Sequence, residues 1–490
     1  MISISVDWNW TWWVVLVAAF DVCTRVLAII IVPRNRRPTA ATAWLLAIYF
    51  MPVVGILLFL LIGNPRLPRK RRKKQDAINA ALRETSANLD FGTLRPHAPT
   101  WFRQLVQLNR NLGAMPIAGD NGARIISDYA ESLAAMTAEI DRAERYVHLE
   151  FYILQVDATT EDFFAALERA TARGVVVRVL LDHWANLRKP YYKKTLARLE
   201  KMGAHWQLLL PVQPFKGRYQ RPDLRNHRKL LVVDGRVGFL GSQNVTDSTY
   251  NLKRNIRRGL HWVDLMVRLD GPIVASINAV FLSDWYSETD EILAEEVDLL
   301  DIRPGSGDLD CQIVPSGPGF EFQNNLKLFT TLLFAAERRI NMVSPYFVPD
   351  EGLLLAIQTA CQRGVDVELF VSEEGDQAIV HHAQRSYYEA LLRAGARIWL
   401  YQKPFILHSK SISIDDEVAA VGSSNMDMRS FGLNLEVTML VRGAEFVAQL
   451  REVEDQYRSM SRELTLEEWL KQPLRSTVLD NLARLTSALQ

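Results

Sequence analysis

The most continuous apolar stretch of the chain is Trp44–Ile62, nineteen residues without a charge. At a rise of about 1.5 Å per residue, a helix of that length crosses a hydrocarbon core of about 30 Å. The pattern therefore predicts a transmembrane helix. Pro52 and Gly55 lie inside it and are expected to bend it, which membrane spans tolerate better than helices in water.

An earlier apolar stretch, Trp12–Val32, is interrupted by Asp21, Thr24 and Arg25. Asp21 and Arg25 are four residues apart, so they share one face of a helix and can neutralise each other. We expect this stretch to be a second span, with a helix lying in the membrane interface as the alternative. Since no Lys or Arg precedes it and no small-residue cleavage site follows it, an anchor is expected rather than a signal peptide.

Basic residues cluster at Arg69–Lys74, shortly after the apolar stretch Trp44–Ile62. Because cytoplasmic flanks of membrane spans are enriched in Lys and Arg, everything after residue 66 is predicted to be cytoplasmic. The loop between the two stretches carries Arg34, Arg36 and Arg37, which would then face outward. A nucleic-acid or nuclear-import patch is the alternative interpretation of the cluster.

From Gly119 onward, short apolar runs alternate with helical periodicity, and the alternation occurs twice. Ala143-Glu144-Arg145 precedes an apolar run that ends near Tyr152, and Ala336-Glu337-Arg338 precedes one that ends near Tyr346. This order is typical of an α/β sheet covered by helices on both faces. A repeat of about 190 residues is far longer than a solenoid period and indicates a duplicated domain.

Composition supports a folded, duplicated chain. The 490 residues are 48% hydrophobic and 23% charged with 25 Gly and 20 Pro, which excludes a disordered or collagen-like protein. The three cysteines lack the spacing of a disulfide framework or zinc site. Residues 1–74 hold eleven of the basic side chains, leaving 46 basic and 54 acidic residues elsewhere. That balance argues against nucleic acid as the main ligand.

Both repeats contain the pattern H-x-K-x4-D. Its members are His227, Lys229 and Asp234 in the first half and His408, Lys410 and Asp415 in the second. An asparagine follows each histidine after seventeen residues, Asn244 within G-S-Q-N and Asn425 within G-S-S-N. Two such motifs, each followed by G-S-x-N at the same spacing, are not a chance occurrence.

The residue types fit chemistry on a phosphodiester. Residues i and i+2 of a strand share one face, so the His and Lys of each motif are expected to point together. Lysines and asparagine amides would neutralise non-bridging oxygens and the charge that develops there. One neutral imidazole can attack phosphorus while the other, protonated, donates to the leaving oxygen, giving a phosphohistidine intermediate.

Each imidazole then needs a group that fixes its tautomer and pKa. Glu436, 28 residues after His408, is the expected partner of that ring, and Asp264, 37 residues after His227, is its expected counterpart. Ser242 and Ser423 could orient the phosphate or an amide by hydrogen bonding, or could simply be the small residues of a tight turn.

These motifs resemble those of the phospholipase D superfamily and, within it, the bacterial cardiolipin synthases. The resemblance covers nearly the whole chain and includes Arg36-Arg37-Pro38, Arg225-Asn226-His227-Arg228-Lys229, Ser344–Pro349 and Gly422–Ser430. The basic run Lys253-Arg254-Asn255-Ile256-Arg257-Arg258 departs from the family pattern, and this departure concerns the acceptor and the lipid preference rather than the reaction class.

The resemblance implies a membrane anchor at 1–75, a linker at 76–118 and two α/β/α domains at 119–305 and 306–490 that share one active site. It implies exchange of head groups between two phosphatidylglycerols, with His227 as nucleophile and His408 as general acid, and no metal or cofactor. It also implies a multi-pass protein of the bacterial inner membrane that acts on phospholipids; the oligomeric state stays open.

Other activities remain as alternatives at this stage. A hydrolase would release phosphatidic acid, and other head-group exchange reactions use the same chemistry. A nuclease of the same superfamily is disfavoured by the two apolar stretches and the acidic remainder of the chain. A non-catalytic lipid-binding scaffold is disfavoured because both motifs are complete.

Overall fold

The computed structural model describes residues 8–34, 36, 38–63, 67–87, 98–293, 303–320 and 323–486. Arg37 of the predicted outer loop and part of the predicted linker 76–118 lie outside these ranges. The chain divides into two compact units, Met1–Arg66 and Leu67–Gln490.

The described residues of the first unit form three helices, α1 (Trp8–Ile31), α2 (Pro38–Phe50) and α3 (Pro52–Ile62). Within the described ranges α1 is the one helix long and apolar enough to cross a membrane, over Trp12–Ile31. Asp21 and Arg25 form the expected ion pair in it, at 2.8 Å.

The prediction of one bent helix over Trp44–Ile62 is wrong. The chain leaves the helical conformation at Met51, where φ is −135° and ψ is 71°. Pro52 then begins a new helix, because proline has no N–H to donate and its ring fits the first turn. The uncharged stretch is therefore divided between α2 and α3, which have thirteen and eleven residues.

The second unit is an α/β structure with a repeated order of elements. Its helices are α4 (Arg69–Ala87), α5 (Thr100–Gly113), α6 (Tyr129–Asp141), α7 (Glu161–Ala172), α8 (His183–Leu187), α9 (Tyr192–Lys201), α10 (Lys253–Arg258), α11 (Ile273–Thr289), α12 (Asn324–Ala335), α13 (Glu351–Gln362), α14 (Ala378–Arg385), α15 (Tyr388–Ala394), α16 (Met428–Gly432), α17 (Ala444–Ser459), α18 (Leu466–Leu470) and α19 (Leu474–Arg484). A 3-10 turn lies at Pro214–Lys216.

The strands of the first half run from β1 to β11. They are β1 (Ile117–Ile126), β2 (Tyr146–Phe151), β3 (Val176–Asp182), β4 (His205–Leu209), β5 (Val212–Gln213), β6 (Arg218–Tyr219), β7 (Arg225–Asn226), β8 (Lys229–Val233), β9 (Val237–Gly241), β10 (His261–Val263) and β11 (Met266–Asp270). Since β1 begins at Ile117, the predicted domain start at residue 119 falls inside this strand.

The strands of the second half repeat much of that order. They are β12 (Leu309–Ser316), β13 (Arg339–Val343), β14 (Phe347–Val348), β15 (Asp366–Ser372), β16 (Arg397–Tyr401), β17 (Phe405–Leu407), β18 (Ser411–Ile414), β19 (Val418–Gly422), β20 (Met426–Asp427), β21 (Asn434–Arg442) and β22 (Ser461–Leu464).

One mixed sheet runs through both halves in the order β22-β16-β15-β13-β18-β19-β21-β12-β1-β11-β9-β8-β2-β3-β4, with β7 attached to β21. The sequence β11-β9-β8-β2-β3-β4 on one side matches β21-β19-β18-β13-β15-β16 on the other. Antiparallel pairing of β1 with β12 joins the two halves into one continuous layer. The duplicated α/β architecture predicted from the repeat is thereby confirmed.

Strand β8 shows why the sheet is covered on both faces. Leu230 and Val232 belong to the core formed with α11 and α17, whereas Leu231 and Val233 belong to the core formed with α6 and α7. Successive side chains of a strand point to opposite faces, so an uninterrupted apolar run is stable only between two helical layers. The corresponding outer layer of the second half consists of α5, α12 and α13.

The basic cluster at Arg69–Lys74 forms the start of α4. Arg71 donates two hydrogen bonds to Glu288, at 2.8 and 2.6 Å, and Lys74 forms an ion pair with Asp290. Two members of the cluster that the sequence assigned to membrane topology thus attach α4 to the end of α11.

Candidate active site

His227 follows the short strand β7, which lies parallel to the beginning of β21 from the other half. The His227 amide donates to the carbonyl of Leu435 at 2.8 Å, which fixes the backbone next to the following residue, Glu436. The His227 Nδ1 atom lies 3.0 Å from Glu436 Oε2 and 3.1 Å from both Glu436 Oε1 and the Ser423 carbonyl oxygen.

His408 follows β17 in the same way, and β17 lies parallel to β10 of the first half. Its amide donates to the carbonyl of Val263 at 2.7 Å, and its Nδ1 atom lies 2.6 Å from Asp264 Oδ1. In both cases the histidine amide bonds to a backbone carbonyl of the opposite half, and the next residue along that strand supplies the carboxylate for its Nδ1.

The pairing expected from sequence spacing is wrong. Glu436 binds His227 rather than His408, and Asp264 binds His408 rather than His227. The cause is strand pairing: β7 lies beside β21 and β17 lies beside β10, so each carboxylate is brought to the histidine of the other repeat. Neither motif histidine takes its carboxylate from its own half.

Ser242 and Ser423 contact these carboxylates. The Ser242 hydroxyl donates to Asp264 Oδ1 at 2.6 Å and accepts from the Leu265 amide at 2.9 Å. The Ser423 hydroxyl donates to Glu436 Oε2 at 2.5 Å. In this geometry each serine hydroxyl donates to the carboxylate that contacts an imidazole, so the serines orient the carboxylates that orient the imidazoles.

Burial favours the neutral form of both imidazoles. Burial lowers the pKa of His227 to about 4 and that of His408 to about 3, against the opposing influence of Glu436 and Asp264. Burial alone would raise the pKa of Asp264, but His408, Lys410 and Ser242 lower it to about 2. Because Nδ1 of each ring faces only acceptor oxygens, it carries the proton and Nε2 presents a lone pair.

The two motif lysines are buried beside the histidines. Lys229 Nζ and Lys410 Nζ donate to the carbonyl oxygens of His227 and His408. Burial lowers the pKa of Lys410 to about 8 and that of Lys229 well below its usual value. The charge of each lysine also lowers the pKa of the histidine in the other half, so the two motifs form one electrostatic site.

Both histidines and both asparagines line one cavity of about 820 Å³. Asn244 accepts from the Ile153 amide at 3.0 Å and donates to the Tyr250 hydroxyl at 3.0 Å. Asn425 donates to Asp427 Oδ2 at 3.0 Å. Both amides are thus held in place by hydrogen bonds at the cavity wall.

The aspartates of the two motifs lie away from this site. Asp234 accepts the backbone amides of residues 144, 145 and 146 at 2.8–2.9 Å, and Asp415 accepts those of residues 337, 338 and 339 at 2.8–3.1 Å. At about 3.3 Å per residue, a strand such as β8 carries the motif aspartate far from its histidine. The interpretation of Asp234 and Asp415 as catalytic is therefore wrong; each fastens a hairpin turn to a neighbouring strand.

Sequence reasoning missed the aromatic residues around the histidines. The Tyr152 ring lies edge-on to His227 with centroids 4.8 Å apart, and the Tyr250 ring lies 6.5 Å from His408. Arg225, which pairs with the buried Asp182 at 3.2 Å, was also missed as the support of β7. The available signal was that Tyr152 directly follows a strand and that Arg225 lies two residues before His227.

Comparison with known proteins gives the same assignment as the motifs. The model of the family "Cardiolipin synthase, PLD-like domain" matches residues 136–285 and 329–457, and that of "Phospholipase D-nuclease N-terminal" matches residues 14–64. The phosphatidylserine synthase of Haemophilus influenzae shares the fold, with a TM-score of 0.59 and 13% identity over 79% of this chain and 100% of the other.

Among curated proteins, the cardiolipin synthase of Geobacillus kaustophilus is 33% identical, covering 94% of this chain and 91% of its own. The major cardiolipin synthase ClsA of Bacillus subtilis is 32% identical, covering 96% and 98%. The fold and the paired site define a phospholipase D-type protein. More narrowly, the chain belongs to the cardiolipin synthase family with phospholipase D-like domains, as the sequence motifs indicated.

We expect Asp234→Ala to destabilise the fold without removing the chemistry. Three backbone amides, of which that of Tyr146 is buried, lose their acceptor, which costs about 1–3 kcal/mol in free energy of unfolding. Chemical denaturation of the purified full chain measures that loss. A variant of unchanged stability but without turnover would return Asp234 to the reaction.

Because these histidines are buried in the neutral form, we expect the free energy of unfolding to decrease as the pH is lowered. His148, His227 and His408 have folded-state pKa values of about 3, 4 and 3, below the unfolded value of about 6.5. Their contribution is complete above pH 6.5 and is lost as the pH falls toward 4, by about 1.4 kcal/mol per pH unit for each histidine.

The slope of the unfolding free energy between pH 6.5 and 4.5 measures this contribution. In that interval His148→Gln should reduce the slope by about 1.4 kcal/mol per pH unit, the contribution of one proton. His205→Gln, which changes an exposed histidine, should leave the slope unaltered. Equal slopes for the wild type and His148→Gln would contradict the burial argument.

Proposed function

We propose that this chain is a cardiolipin synthase, a phosphatidyltransferase that converts two phosphatidylglycerols into cardiolipin and glycerol. The observation that carries the proposal is the crossed pair of imidazole–carboxylate contacts at one cavity, between His227 and Glu436 and between His408 and Asp264. Two bases of opposite role around one phosphorus are what a double displacement requires. The curated relatives support the same activity.

The first step transfers the phosphatidyl group to the enzyme. Nε2 of His227 attacks the phosphorus of the donor phosphatidylglycerol, and an N–P bond forms as the P–O bond to glycerol breaks. The leaving oxygen takes the proton of the His408 imidazolium, so that glycerol departs as a neutral alcohol. Lys229, Lys410, Asn244 and Asn425 are the groups placed to neutralise the non-bridging oxygens.

The second step reverses the proton transfer. Neutral His408 accepts the proton of a primary hydroxyl on the second phosphatidylglycerol while that oxygen attacks phosphorus. The N–P bond to His227 breaks, cardiolipin forms, and the two imidazoles return to their starting protonation states. The reaction requires no redox change and no additional reactant.

The low pKa of His408 rises when the anionic substrate is bound. Burial and the charge of Lys410 lower that pKa, and a phosphodiester beside the lysines opposes the second of these effects. Asp264, at 2.6 Å, stabilises the imidazolium that forms. We infer that binding of the donor lipid and protonation of His408 are coupled.

The apolar helix α1 and the membership of the chain in its family indicate membrane association. We propose further that α2 and α3 also lie in the bilayer, that the protein is a multi-pass protein of the bacterial inner membrane, and that residues after 66 are cytoplasmic. The basic residues at the start of α4 support this orientation, although Arg71 and Lys74 also serve packing.

Purified protein in phosphatidylglycerol vesicles should form cardiolipin and release glycerol in equal amounts. His227→Ala and His408→Ala should each reduce turnover by at least about 10³-fold, because each removes one of the two acid–base or nucleophilic groups. His205→Ala, an exposed histidine, is the matched control. Phosphatidic acid as the sole product of the wild type would instead identify a hydrolase.

A donor with a good leaving group separates the roles of the two carboxylates. Asp264→Asn should reduce turnover by about 10²–10⁴-fold, because the amide stabilises the wrong tautomer of His408. With phosphatidyl-p-nitrophenol, whose departure needs no proton, the burst of nitrophenol should recover in Asp264→Asn but not in Glu436→Gln. Recovery in Glu436→Gln alone would reverse the assignment of nucleophile and acid.

A further inference from the structure

Two cationic side chains occupy the part of the cavity next to His408. Lys189 follows α8, and its Nζ lies 4.8 Å from the centre of the Tyr250 ring. The same ring lies 6.5 Å from the imidazole of His408. Arg254 belongs to α10, part of the basic run that departs from the family pattern, and it lines the cavity together with Lys189.

These two cations differ from Arg225, which also lines the cavity but has a carboxylate partner. Arg225 is neutralised by Asp182 at 3.2 Å. Over the part of the chain that the structure describes, neither Lys189 nor Arg254 has a hydrogen-bonded carboxylate. Burial lowers the pKa of Lys189 to about 8, and the charge of Arg254 adds to this, so an anion placed between the two would be stabilised.

The surrounding charges leave this region positive. Asp376 is the acidic neighbour; its carboxylate accepts the Tyr346 hydroxyl at 2.9 Å, and its pKa is raised by burial. Within α10, Arg258 is paired with Glu374 at 2.6 Å, and the Arg257 Nε donates to the Lys253 carbonyl. Two cations thus face one partly buried carboxylate.

The proposed reaction requires a second anion site. Donor and acceptor are both phosphodiesters, and both must be present when the acceptor hydroxyl attacks. The donor phosphate uses the motif lysines. In an in-line displacement with His227 as nucleophile, the acceptor enters from the side of His408, so its own phosphate must lie farther out on that side.

We propose that Lys189 and Arg254 form the binding site for the phosphate of the acceptor lipid. The site gives a role to Arg254, the cationic member of the basic run that lines the cavity. It makes the acceptor a phosphodiester-bearing alcohol rather than any alcohol, and it favours transfer over hydrolysis by holding the acceptor beside His408. The inference rests on the proposed function.

The test compares two acceptors in one assay. Full-length protein in phosphatidylglycerol vesicles is supplied with radiolabelled glycerol, and both cardiolipin and labelled phosphatidylglycerol are quantified. Labelled phosphatidylglycerol reports transfer to an acceptor without phosphate. In Lys189→Ala/Arg254→Ala, the ratio of cardiolipin to labelled phosphatidylglycerol should fall by about tenfold or more, because a charge-assisted contact to the acceptor is lost.

Lys253→Ala/Arg257→Ala is the matched control. It removes the same charge from the same region, but neither residue lines the cavity. Its product ratio should equal that of the wild type. A similar fall in the control would replace the site with a general attraction to anionic lipid, and an equal loss of both products in Lys189→Ala/Arg254→Ala would assign the pair to the donor or to the fold.

Failure of the underlying function gives a different result. If the wild type forms no cardiolipin but does form phosphatidic acid, the proposed function fails before any variant is compared. If the wild type forms cardiolipin and the Lys189→Ala/Arg254→Ala ratio is unchanged, the acceptor site alone is overturned. Arg429 also lines the cavity, and its charge acts on Tyr152, the ring beside His227. An effect of Arg429→Ala on the ratio, without one from Lys189→Ala/Arg254→Ala, would place the acceptor phosphate on the side of His227.

Discussion

The site depends on two short parallel strand pairings between the halves of the molecule, β7 with β21 and β10 with β17. A buried imidazole needs an acceptor at Nδ1 if its Nε2 lone pair is to face the substrate. Each half supplies the histidine, and the other half supplies the carboxylate. The chemistry therefore exists only when both repeats are folded and joined, which the continuous sheet through β1 and β12 ensures.

The local part of this arrangement could be predicted from sequence, whereas the long-range part could not. Motif membership and identical spacing to Asn244 and Asn425 are local patterns, and they identified residues that the structure brings to one cavity. The partner of His227 lies 209 residues away and that of His408 lies 144 away. Separation along the chain carries no information about which of two equivalent strands will pair.

Two other differences have equally definite causes. Asp234 belongs to the motif in sequence, but the five-residue strand β8 separates it from the histidine. The spacing of a motif does not show whether the residues between its members are extended. Hydropathy identified Trp44–Ile62 as continuous because it averages over Pro52. Proline has no amide proton for an intrahelical hydrogen bond, so one helix ends before Pro52 and the next begins at it. The fold class was predicted correctly because short strand-forming runs alternate with helical segments throughout both halves.

The choice between transfer and hydrolysis follows from how the cavity holds charge. A phosphohistidine reacts with whichever hydroxyl resides beside His408, and water is always available in greater number. A lipid alcohol prevails only if its effective concentration at that point is high, and a fixed contact to its own phosphate supplies this more strongly than an apolar wall does. Lys410 is buried next to His408 and donates to its carbonyl oxygen. Lys189 lies 4.8 Å from the centre of the Tyr250 ring, on the wall of the same cavity. Separate cations for separate phosphates allow one cavity to hold two anions without bringing them onto the same lysine.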